Sequence, residues 1–80
     1  MSTVTSAIEH IGLTPLARKT GLYPSAVQKW RDQGYLPQTE LAGLTHYARD
    51  IEALCEGKFT ASQLLADTRK AWEKRLSRAI

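Results

Sequence analysis

Eighty residues, 42% of them hydrophobic, suffice for one small core and leave no room for a catalytic domain beside a binding domain. Eleven Lys and Arg against eight Asp and Glu give a net charge of +3, and the single cysteine, Cys55, excludes an internal disulfide and any cysteine-based zinc cluster. No run of about eighteen apolar residues is available to span a bilayer, and the opening "MSTVTSAIEH" has no basic stretch followed by an apolar core, so the expectation is a cytoplasmic protein with no membrane association.

Val4, Ala7, Ile8 and Ile11 fall at i, i+3, i+4 and i+7, the stripe of a first helix, with Ser2, Thr3 and Thr5 as N-cap candidates and Gly12 as its stop. In "TPLARKTG" the spacing predicts a second helix of barely two turns, capped by Thr14, with Pro15 at its first position and Gly21 as a left-handed stop. "YPSAVQKWRDQG" repeats the pattern: Pro24 opens a third helix and Gly34 closes it. Pro37 biases Leu36 away from helix, so "YLP" is a connector.

From Gln38 to Glu56 the residues Leu41, Leu44, Ala48, Ile51 and Cys55 keep a helical period that Gly43 and Thr45 weaken, which predicts two helices or one with a break, ended by Gly57. Lys58 and Phe59 read as extended. Thr60 to Gln63, "TASQ", has the spacing of a capping box. It opens a last helix over 61–80, with Leu64 or Leu65, Thr68, Trp72, Leu76 and Ile80 as its apolar stripe. Nowhere do β-branched or aromatic residues alternate over five positions, so the expected fold is all-α, with five or six helices in one domain spanning 1–80.

Within the third helix Ala26, Val27 and Trp30 share the side that faces the core, and Ser25, Gln28, Lys29 and Asp32 share the other. Two short helices around a glycine-containing turn, each with an apolar inner face, define a helix-turn-helix. Ala17 belongs where the two helices approach most closely, Gly21 permits the turn, and Leu22, Val27 and Trp30 fill the space beneath. Charge is also uneven along the chain. Arg18, Lys19, Lys29 and Arg31 stand against Asp32 alone, Arg69, Lys70, Lys74, Arg75 and Arg78 outnumber Asp67 and Glu73, and between these basic blocks lies an acidic middle. Such blocks fit a polyanion, although solvated helix faces carry charge runs as well.

The run "TPLARKTGLYPSAVQKW" resembles the helix-turn-helix of the phage Cro repressors, with "GLYPSAVQK" close to the lambda-type pattern. "DIEALCEGKFTASQLLAD" is similar to the C-terminal half of the YdaS-type, Cro-like prophage regulators, and the matches span about two thirds of the chain. The resemblance implies a small lambda-repressor-like domain that binds double-stranded DNA, and it assigns the helix from Pro24 to Gln33 to the major groove. The family's contact positions fall on Tyr23, Ser25, Gln28 and Lys29, whose chemistry suits base edges: Gln pairs with adenine, and Lys donates to guanine acceptors. Pro24 departs from the lambda-type pattern, which has a polar side chain there, so the recognised sequence does not transfer. Thr14, Arg18, Lys19 and Arg31 are the candidates for phosphate contacts.

The remaining features read as structural. Trp30 and Trp72 lie on apolar stripes and suit packing; Cys55 suits the core; His10 and His46 lack companion ligands for a metal; and Glu40, Asp50 and Glu52 have no nucleophile or phosphate-binding loop nearby. Neither catalysis nor a cofactor is expected. The expected function is a Cro-like repressor bound as a homodimer to a pseudo-palindromic operator. The rival reading is an antitoxin or protein-interaction module, with a toxin or other protein held by the last helix. That helix either docks on its own domain or pairs with a second subunit.

Overall fold

The computed structural model describes residues 2–78. Six α-helices follow in order: α1 (Thr3–Ile11), α2 (Leu13–Thr20), α3 (Pro24–Gln33), α4 (Gln38–Leu41), α5 (Tyr47–Leu54) and α6 (Ala61–Arg78), with no strand among the described residues. The all-helical expectation holds. Helix α1 packs against α2, α3, α5 and α6, while α2 bridges α3 and α5, so the apolar stripes of five helices meet in one core. Val4, Ala7 and Ile8 from α1, Leu16 and Ala17 from α2, Val27 and Trp30 from α3, Ala48 and Ile51 from α5, and Leu64 from α6 are buried there together with Leu36 from the connector.

Capping follows local chemistry where the partners are close in sequence. Ser2 caps α1 by accepting the Thr5 N–H at 3.1 Å. Thr60 and Gln63 form the capping box reciprocally: the Gln63 N–H donates to the Thr60 hydroxyl at 3.2 Å, and the Thr60 N–H donates to Gln63 Oε1 at 3.1 Å. Gly34 ends α3 in the left-handed region at φ 84, where an added Cβ would lie 3.0 Å from Ser2 Oγ. Glycine therefore serves there both the turn and the approach of α1 to α3.

Four details differ from the sequence reading. Thr14 does not cap α2, which begins two residues earlier than expected, at Leu13 with Gly12 as N-cap, so Pro15 is its third residue. Its missing N–H is harmless there, because the first four amides of a helix have no partner within it. Leu44 is not a core residue but 75% exposed, since the chain leaves α4 after one turn and breaks the helical period. Helix α5 ends at Leu54, before Gly57, and Cys55 and Glu56 already leave helical geometry. The apolar stripe of α6 ends at Trp72: Leu76 is 53% exposed, and Ile80 lies outside the described residues.

Two carboxylates of the acidic middle, Glu40 and Glu52, hold helix starts. Buried Glu40 accepts the N–H groups of Tyr47 at 2.9 Å and Ala48 at 2.8 Å together with the Thr45 hydroxyl, supplying the cap that α5 lacks from its own His46. Glu52 accepts the N–H of Ala61 at 2.7 Å and so anchors the start of α6. Both carboxylates sit where helix dipoles favour negative charge.

Candidate nucleic-acid interface

The α2–α3 unit is held by its turn. The Ala17 carbonyl accepts the Gly21 N–H and, at 3.1 Å, the Leu22 N–H, while the Thr20 hydroxyl donates to the Leu16 carbonyl at 2.9 Å. These bonds satisfy carbonyls that a helix end leaves open. Gly21 takes φ 75, which lets the chain reverse into Leu22, half-buried against the core, and Tyr23, which starts α3. Ala17 is 4% exposed, and its methyl group lets α2 and α3 approach closely. Beneath them Val27 is fully buried, and the Trp30 ring lies 4.8 Å from that of Tyr47 on α5. Pairing the two rings fixes α3 against the body of the domain.

The opposite face of α3 meets solvent. Tyr23 is 82% exposed, and Ser25, Gln28, Lys29 and Asp32 are exposed as well, so the four residues chosen as base readers lie on one continuous outward surface. Ala26, assigned to the inner side, is only half-buried. Among the candidate phosphate ligands Thr14, Arg18 and Lys19 are exposed along α2. Arg31 sits apart from them. Its Nε donates to Asp32 Oδ1 at 3.2 Å, and it lines a cleft with Ser2 and Thr5 of α1 and Lys74 of α6.

Sequence reasoning did not find the cluster beside this face. Arg75 of α6 donates to the Tyr35 hydroxyl at 2.7 Å and lies 5.3 Å from the centre of the Trp72 ring, while the Trp72 indole N–H donates to the Leu36 carbonyl at 2.8 Å. The signal available was the basic block of the C-terminal tail, but no spacing rule links it to Lys29. Among the described residues no group of three or more side chains is arranged to hold a metal ion, and no helix is long and apolar enough to cross a membrane.

The chain is 39% identical over 57 residues to the 8.4 kDa Cro protein of Escherichia phage HK022, a stretch covering 71% of this chain and 75% of that protein. No family model matches the chain, and no solved structure matches it. Identity at that level over most of both proteins, on a six-helix fold whose second and third helices form a helix-turn-helix, has one reading: the chain belongs to the phage Cro family of regulators.

Proposed function

We propose that this Cro-family chain is a sequence-specific transcriptional repressor that binds a pseudo-palindromic operator as a dimer and blocks polymerase by occupancy. The observation that carries the reading is the outward face of α3, where four exposed hydrogen-bonding side chains, Tyr23, Ser25, Gln28 and Lys29, stand on a helix whose other face is anchored in the core. A rigidly held helix presenting such groups is what major-groove readout requires. Gln28 and Lys29 read base edges, Ser25 bonds a base edge or phosphate, and Tyr23 reaches a phosphate or a thymine methyl. Thr14, Arg18, Lys19 and Arg31 meet the backbone and set register without reading sequence.

One α3 offers few base contacts, so affinity and selectivity come from a second half-site. Two such helices in a dimer enter successive major grooves roughly 34 Å apart. In vitro selection from random duplex DNA at physiological salt tests the reading, because salt suppresses nonspecific phosphate binding. Enrichment of an inverted repeat with half-sites about one helical turn apart is the expected result. A folded protein that enriches nothing overturns the proposal, and full affinity of a single subunit for an isolated half-site overturns its dimeric part.

A further inference from the structure

A groove without any residue of α2 in its lining borders α3, with Lys29 and Gln33 on one wall and Gln38, Trp72 and Arg75 on the other. Among the described residues lining it, none carries a carboxylate, so two cations and two carboxamides converge there; the carboxylates of Asp32 and Asp67 line the adjoining cleft that Gln33 and Arg75 also border. Arg75 is also oriented in advance. The Tyr35 hydroxyl accepts from its Nη1 at 2.7 Å, its guanidinium lies over the Trp72 indole, and Trp72 in turn packs edge-on against Tyr35 with ring centres 5.2 Å apart. The described residues offer Arg75 no ion pair, their single salt bridge being Arg31 with Asp32. A planar guanidinium held in this way retains free N–H donors and loses little side-chain freedom on meeting an anion.

A helix lying in a major groove about 12 Å wide has a sugar-phosphate strand along each side. On α3, Lys29 stands at the edge of the reading face and Gln33 lies one turn further along the same side, so the groove lies where one of those strands must run. We propose that this groove seats the backbone of duplex DNA, with Arg75 as a phosphate clamp carried by α6. The inference rests on the reading of α3 as the recognition helix. It makes the C-terminal helix part of the DNA surface, in addition to its part in the core.

The test compares salt dependence on the selected operator for the wild type, Arg75→Gln, Tyr35→Phe and Lys70→Gln. Lys70 is exposed on the same helix and does not line the groove, so it controls for net charge. Arg75→Gln is expected to flatten the slope of log K against log salt by about 0.9 per subunit. Tyr35→Phe keeps the charge and the slope but weakens binding severalfold, and Lys70→Gln matches the wild type. A folded Arg75→Gln protein with an unchanged slope, or a Lys70→Gln protein that matches it, overturns the clamp and leaves operator recognition standing. If Arg75→Gln fails to fold, methylphosphonate linkages placed singly along the operator decide with wild-type protein: a sensitive linkage on the Lys29 side of α3 supports the clamp, and none overturns it. Absence of any specific wild-type binding removes the underlying recognition reading and the clamp with it.

Discussion

The carboxylate of Asp67, in the second turn of α6, accepts both the backbone N–H of Thr3, at 3.1 Å, and the Thr3 hydroxyl, so a side chain near one end of the sequence caps the first helix near the other. The bond satisfies an amide at the start of α1 that has no partner within its helix. Asp67→Ala should lower stability by about 1–2 kcal/mol, the cost of removing a cap. Urea unfolding followed by circular dichroism measures it, and an unchanged midpoint would show that water replaces the carboxylate at no cost.

Glu40 does the same for α5 at greater depth, being 6% exposed and bonded to two backbone amides and the Thr45 hydroxyl. Glu40→Gln retains one acceptor oxygen but turns an NH2 group toward an amide donor. The expected loss is about 1–3 kcal/mol, within the range for leaving a buried polar group unpaired. Hydrogen exchange offers a local check, since the amides of Tyr47 and Ala48 should lose protection first.

At Gly34 both backbone and space resist substitution. Gly34→Ala imposes a side chain at φ 84 and brings its Cβ to 3.0 Å from Ser2 Oγ, at a combined cost of about 1–3 kcal/mol. The same change at Gly21, where a Cβ meets nothing within 4 Å, carries the backbone penalty alone. Thermal melts of the two variants should therefore rank Gly34→Ala as the less stable.

On DNA the two classes of contact separate by behaviour. Gln28→Ala and Lys29→Ala should each lose about 1–3 kcal/mol on the selected operator and leave nonspecific binding nearly intact. Arg18→Ala and Lys19→Ala should weaken all sequences alike and flatten the salt dependence. Titration of operator and scrambled duplexes at several salt concentrations distinguishes them, and indistinguishable behaviour of the two pairs would remove α3 from the major groove.

The order of the helices and the stops of α1, α2 and α3 were legible in the sequence because the signals are local, whereas the ends of α4 and α5 were not. Proline at position 24, glycine at 21 and 34, and the box from Thr60 to Gln63 act within one turn, where sequence distance and spatial distance coincide. The two faces of α3 were equally legible, since helical periodicity alone separates Val27 and Trp30 from Gln28 and Lys29. Only the tertiary structure gave the acidic residues their roles: Glu40, Glu52 and Asp67 cap helices that begin seven, nine and sixty-four residues away, and no local pattern encodes those pairings. It likewise exposed Leu44, which periodicity had placed in the core, because α4 stops after a single turn. The placing of Lys29 and Arg75 along one groove belongs to the same class. It depends on where α6 lies in the fold, which is set by the burial of Leu64 and Thr68 and by the bond from the Trp72 indole N–H to the Leu36 carbonyl.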